Sequence, residues 1–209
     1  VNSRGEAIPY GERWGESGPP EDSYSAEAHL ERFAPLHTDA DALVDYLVRE
    51  YAVTVEHGTD HAADLLTPRD DVLRAVRITP AGRAAAPLTV VYTAYPGVVV
   101  HAGVLHDFTY PSCGCDACDE TASSEARRLE SMIFSVVAGG YVEKYPLGSE
   151  RWCGYALVAA DGSGHEGGQS EIGPVAAARL REAAQILHSV SGGWQPWPRR
   201  RGSDTVPNR

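Results

Sequence analysis

Apolar residues recur at spacings of three and four through Ala40, Leu43, Val44, Leu47, Val48 and Tyr51, the stripe of a helix facing a core. Leu30 and Phe33 precede Pro35, and Thr38 and Asp39 stand ahead of the stripe as candidate caps. The period then changes. Residues 72–79, 88–94 and 98–105 are rich in β-branched side chains and predict strands. Tyr95-Pro96-Gly97, between the last two, suits a type II turn and predicts a hairpin. Helical spacing returns over 121–138, with Ala122, Ala126, Leu129, Ile133 and Val136 on one face and Gly139-Gly140 as the stop. Two further strands are expected at 141–146 and 153–160. A polar loop, DGSGHEGGQSE, then leads to a last helix over 174–189 with Pro174 in its first turn. The order α-β-β-β-α-β-β-α predicts an α+β fold: one domain, a mainly antiparallel sheet backed by helices, and a cysteine knuckle between a strand and a helix.

That domain is expected over residues 26–191. Residues 1–25 are rich in Gly, Pro, Ser and acids, carry no apolar period, and predict a flexible arm in which Tyr10 and Trp14 are able to dock back. Residues 192–209 form a loop-like tail containing Trp, Pro and Arg. No internal repeat is visible, which excludes a solenoid. The 209 residues carry a net charge of −11, and so acidic a surface repels a phosphate backbone, which argues against a nucleic-acid partner. No apolar run approaches the ~20 residues of a membrane span, and the first thirty residues lack a basic-then-apolar signal pattern. The expectation is a soluble, cytoplasmic protein without a membrane partner. Four cysteines in a chain of this size do not make a secreted disulfide scaffold.

Three of them, Cys113, Cys115 and Cys118, fall in PSCGCDACDE. A Cys-x-Cys-x-x-Cys run brings three thiols into one short turn, as a tetrahedral thiolate site requires. Gly114 is expected to supply a positive φ, and Ala117 to keep the loop interior clear. Asp116, Asp119 and Glu120 are interleaved with the thiols. Their like charge opposes a metal-free thiolate, whereas a divalent cation reverses that balance. Asp119 is also placed to cap the following helix. The pattern therefore points to a bound metal, zinc, with a structural role. Two other readings remain: three reduced thiols, or a redox pair at Cys115 and Cys118, against which stands the lack of a thioredoxin-like strand–helix pattern. The fourth ligand is open between His106, seven residues upstream, and Cys153 on a later strand. His101, five residues before His106, stands behind both, since on one strand it would point to the opposite face.

GVVVHAGVLHDFTYPSCGCDACDE followed by a helix, together with the later WQPWPRR, resembles the signature of a bacterial family of unknown function over roughly residues 28–201. The resemblance implies a cytosolic single-domain protein, adds weight to His106 and the cysteines, and implies no activity.

Other chemical-looking signals are weaker. His29-Leu30-Glu31 and Pro111 echo a zinc-deaminase pattern. However, Pro111 is separated from the Cys115–Cys118 pair by three residues, and Cys113 has no place in such a site. His29 and Glu31 read instead as an exposed helix face. His57 and His61 have helical metal spacing, but Gly58 and Thr59 break the helix. His165-Glu166 sits in a Gly-rich stretch, and GSGHEGG is neither a phosphate loop nor a serine elbow. Arg199, Arg200 and Arg201 follow Trp194 and Trp197, which predicts packed indoles with wet arginines. The function expected is a binding or accessory module, with a protein partner, held by a structural zinc knuckle. The alternatives are a metal-dependent hydrolase using Asp116 or Glu120 as base, and an acidic inhibitor or immunity-type protein.

Overall fold

LTVVYT and GVVVHA are apolar at nearly every position because both faces of the strands they form are covered. The computed structural model describes residues 9–149 and 151–201; the outer ends of the expected arm and tail lie outside them. These two runs are β3 (Leu88–Thr93) and β4 (Gly97–Ala102). They sit inside an antiparallel meander with β1 (Val53–His57), β2 (Val72–Pro80) and β5 (His106–Tyr110), in the order β1-β2-β3-β4-β5. On one face Ile78, Val90, Val98 and Val100 meet Leu36, Val44 and Leu47 of α1 (Pro35–Glu50) and Leu129, Ile133 and Val136 of α2 (Ala122–Val137). On the other face Ala75, Val91 and Val99 pack with Leu65, which follows a 3-10 turn at Thr59–Asp64. A second antiparallel sheet holds β6 (Tyr141–Lys144), β7 (Trp152–Val158) and β8 (His165–Glu171). The first core runs into it through Tyr141, Cys153 and Leu157, and into α3 (Ala177–Ser189) through Ala183 and Leu187. The fold is α+β, and the cysteine segment lies between β5 and α2.

Several expectations need correction. α1 begins at Pro35, whose fixed φ suits a first turn, so Thr38 and Asp39 lie inside the helix and cap nothing. α3 begins at Ala177, not Pro174. The β3–β4 hairpin forms, but its loop is Ala94-Tyr95-Pro96; Gly97 belongs to β4, paired with Thr93, and is not a turn glycine with positive φ. Three strands gave no clear pattern. β1 and β5 are only five residues long, and β8 is exposed at every position, so no hydrophobic face marks it. The segment read as a polar loop becomes a strand only because β7 offers it a ladder from Trp152↔Glu171 to Val158↔His165.

Trp194 and Trp197 are buried, their indole N–H groups donating to Glu143 and to the Ala86 carbonyl, while Arg199, Arg200 and Arg201 stay at the surface. Among the described residues no helix is long and apolar enough to cross a membrane.

Candidate metal centre

β5 ends at Tyr110 and α2 starts after Thr121, whose hydroxyl accepts from Ser124 N in a capping box. The ten residues between fold tightly enough that the Sγ atoms of Cys113, Cys115 and Cys118 all lie within 4.8 Å of one another. Cys113 and Cys115 are 3.2 Å apart and Cys115 and Cys118 3.4 Å, sulfur to sulfur. A tetrahedral shell of ~2.3 Å Zn–S bonds has edges of about 3.8 Å, so a small opening of this triangle admits the ion, and the soft donor set suits it. The cluster could hold a metal ion. Gly114 does not carry the positive φ expected of it; it is glycine because a Cβ there would overlap the Tyr95 hydroxyl.

The thiols share protons. The hydrogen bond from Cys113 lowers the Cys115 thiol, while bonds to Cys113 and Cys115 push Cys118 up to about 12. At Cys118 the opposition to ionisation thus comes first from the neighbouring sulfurs. The interleaved carboxylates are turned elsewhere. Asp116 Oδ1 is 2.9 Å from the Tyr10 hydroxyl and accepts from Ala28 N at 3.1 Å. Asp119 accepts from Arg13 N (2.9 Å) and Arg13 Nε (2.7 Å). Glu120 accepts from Cys113 N (3.1 Å) and the Ser112 hydroxyl (3.0 Å). Burial raises the Asp116 and Asp119 carboxyls, but these hydrogen bonds and the Arg13 charge outweigh it and hold both below the usual range. Asp119 does not cap α2 as expected; it stands at φ 55° facing Arg13, and Thr121 is the cap.

A segment expected to be an arm therefore reaches this turn. The Arg13 guanidinium lies 3.6 Å from the Tyr10 ring centroid and that of Arg32 4.0 Å from it, so one ring serves two cations beside two acids. Trp14 Nε1 donates to the Asp116 carbonyl at 3.2 Å and Arg32 to that of Gly114 at 3.0 Å. Tyr10 and Trp14 were the arm residues expected to dock; Arg13 and Arg32 gave no signal in the sequence.

The structure does not bring His106 or Cys153 to the three thiols. His106 opens β5 and the cysteine turn follows its other end, four residues or ~13 Å away along a strand. Cys153 lies on β7 in the second sheet. These two meet each other instead, Sγ to Nε2 at 3.9 Å, around the carboxylate of Glu143. That carboxylate takes His106 Nδ1–H (3.1 Å), the backbone N–H groups of Val104 (3.1 Å) and Leu105 (2.8 Å), and Trp194 Nε1–H (2.9 Å). Burial lowers His106, but the bonds from Cys153 and Glu143 prevail and push it up to about 9; the Cys153 thiol is held down against burial by His106 and Ser170. Gly103, at φ 66°, makes room, since a Cβ there would overlap the Glu143 carboxylate. This is a buried hub that fastens the β4–β5 turn, the second sheet and the Trp194 segment. Glu143 was missed, although an acid two residues after Tyr141 on a strand shares its inward face.

His101 also stands apart from the thiols, its Nδ1 2.6 Å from Asp107 Oδ1. It faces the opposite side of the sheet from His106, now across a hairpin in which His101 pairs with Asp107 and Ala102 with His106. His29 and Glu31 pair with each other on the surface at 3.0 Å. His57 ends β1, His61 lies in the 3-10 turn, and His165 starts the exposed β8. Among the described residues, only Cys113, Cys115 and Cys118 form a group of metal-ligating side chains this close.

No curated protein and no solved structure gives a significant match to the chain. The sequence model of a family of unknown function, DUF6226, matches residues 1–201, taking in the Tyr10–Trp14 segment as well as the domain. The three-thiol turn, the segment clamped on it and the buried Trp tail thus all lie within one matched unit, and the chain belongs to that family of unknown function.

Proposed function

We propose that Cys113, Cys115 and Cys118 hold one zinc ion with a structural role, and that the protein acts as a cytoplasmic binding or accessory module. The observation that carries this reading is the convergence of three sulfurs in a turn whose flanking carboxylates are all engaged elsewhere. A zinc ion there would neutralise the thiolates and lock a turn onto which residues 10–14 and 26–32 are fastened, so its binding free energy would add to folding. The residues fit such a group. When bound, the zinc supplies an electrostatic and geometric anchor; Arg13 holds Asp119, Arg32 holds the Gly114 carbonyl, and the Thr121 cap fixes the exit into α2.

A second reading draws support from the fourth corner. None of the chain's eight histidines, nor Cys153, joins the cluster, and Cys118 is exposed, so water or a partner's side chain would complete the shell. An exchangeable water is the mark of a catalytic site, which keeps the metal-dependent hydrolase in play. Against it, neither Asp116 nor Glu120 is a free base. Elemental analysis of protein purified without chelator or added metal, followed by X-ray absorption at the zinc edge, tests both. One zinc per chain in a three-sulfur shell, with no hydrolysis of activated esters above a Cys115→Ser control, supports the anchor. A well-folded, metal-free protein with three titrating thiols refutes zinc altogether, and zinc-dependent ester hydrolysis moves the assignment to the hydrolase.

A further inference from the structure

The sheet face that carries Val91 and Val99 also carries His101, and there the 3-10 turn and α3 wall a cleft of about 490 Å³. His101 is 5% exposed. Its Nδ1 bonds Asp107 Oδ1 at 2.6 Å, and the other Asp107 oxygen accepts from Leu66 N at 2.7 Å, so carboxylate and ring are both fixed. In the neutral ring, Nδ1–H donating to Asp107 leaves Nε2 as a lone-pair acceptor. It has no hydrogen-bond partner among the described residues and remains open to the cleft that His101 lines. No buried side-chain N or O among the described residues lacks a partner, so Nε2 is the part of this buried side chain that solvent, or a ligand in the cleft, reaches.

The rest of the wall selects the ligand. Arg77 is held by Asp64 through two bonds (2.6 and 2.8 Å), which neutralise its charge. Thr89 donates to the same Asp64 at 2.6 Å. Arg179 donates to the backbone carbonyls of Ala63, Asp64 and Leu65. Arg77 Nε and Nη2 and both Nη groups of Arg179 are thus engaged, whereas Arg77 Nη1 and Arg179 Nε form no hydrogen bond among the described residues. As acceptors the cleft offers His101 Nε2 and, at its rim, the exposed carboxylates of Glu56 and Glu182, neither of which forms an ion pair among the described residues. The carboxylates that line the cleft, Asp64, Glu56 and Glu182, outnumber the guanidiniums of Arg77 and Arg179, and this net negative charge fits a cation that carries N–H groups.

We propose that this cleft binds a small organic ammonium compound, which donates an N–H to His101 Nε2 and sets its charge between Glu56 and Glu182. The volume falls within the ~300–1,000 Å³ of small-molecule sites. The site uses elements other than the cysteine turn, so its failure would not bear on the zinc reading, nor the reverse.

The test is a nitrogen-15 NMR titration of the full chain with three probes of similar length: 1,4-diaminobutane, glutarate and glycerol. Diaminobutane is expected to shift the His101 ring nitrogens saturably at millimolar concentration, with glutarate and glycerol inert. Glu182→Gln, an exposed change that leaves the fold alone, is expected to weaken binding about two- to fivefold. Diethyl pyrocarbonate should label His101 but not His106, both of whose nitrogens are engaged, and diaminobutane should protect His101. Preference for glutarate, shifts that bypass His101, or the absence of any saturable shift overturns the proposal; so does His101 that resists labelling.

Discussion

The cysteine turn and the Glu143 hub use overlapping residue types to opposite ends. In the turn, three cysteines come together within six residues of chain, at a partly exposed corner, and the acids beside them face arginines. In the hub, Cys153, His106 and Glu143 come from three strands, are each at most 7% exposed, and satisfy one another and two backbone N–H groups. The first arrangement leaves a space that a cation could fill. The second has little left to coordinate, because the carboxylate already takes four donors. Proximity of ligand-type residues is therefore not enough for a metal site: the lone pairs must converge on a common point and be free.

Breaking the hub is expected to have the largest effect. Glu143→Ala would leave an imidazolium, an indole N–H and two backbone N–H groups buried without an acceptor, a loss of roughly 3–5 kcal/mol. At roughly 2–4 °C per kcal/mol for a chain this size, the melting temperature should drop by about 6–20 °C. A fall smaller than that of Cys153→Ser would show that the carboxylate is not the centre of the hub.

Next comes the metal. Cys115→Ser, or chelation of the native protein, is expected to remove the zinc and cost about 2–4 kcal/mol, while His106→Gln and Cys153→Ser retain the ion. His57→Ala should change stability by less than ~0.5 kcal/mol and metal content not at all. Zinc loss from His106→Gln would restore that residue as a ligand and break the contrast between the two sites.

A smaller effect is expected from Arg13→Ala, which removes the side-chain bond to Asp119 and the cation over Tyr10. Locally it should cost about 1–2 kcal/mol, seen as faster hydrogen exchange over residues 9–25 with zinc retained. Unchanged exchange would mean that the Tyr10 and Trp14 contacts hold the segment alone.

The pH dependence is the mildest. His106 is raised to about 9, so its imidazolium contribution is complete below the unfolded value of about 6.5 and fades as pH rises through about 9. Cys153, held below its ordinary value, works in the opposite sense, its contribution being lost as pH falls through its depressed range, so the two offset. A carbon-detected titration of the His106 ring should show protonation persisting at pH 8; a midpoint near 6.5 would uncouple the imidazole from its neighbours.

Much of the fold could be read directly. The 3–4 stripes marked α1 and α2, and β-branched runs marked β2, β3 and β4, because in each the core imposes its own period on the side chains. β8 could not be read, since HEGGQSE buries nothing and is a strand only by its partner. The caps were misplaced for a related reason: Thr38, Asp39 and Asp119 are all good caps in isolation, and the backbone's path into α1 and α2 gave the position to Ala34 and Thr121.

The same division runs through the sites. The sequence alone kept Cys113, Cys115 and Cys118 near one another, because five residues of chain span at most about 17 Å, and the turn then closes their sulfurs to within 4.8 Å. It also determined that Trp194 and Trp197 would seek cover while the arginines after them stayed wet, since burial of an indole and hydration of a guanidinium are properties of the side chains. Only the tertiary structure decided that His106 belongs to Glu143 and Cys153, that His101 opens on a cleft, and that Arg13 answers Asp119 across 106 residues. The two histidine placements depend on strand register and on which face each strand turns inward, and a shift of one residue would reverse both; the Arg13 contact depends on how the first segment docks on the turn, since neither Arg13 nor Asp119 lies on a strand.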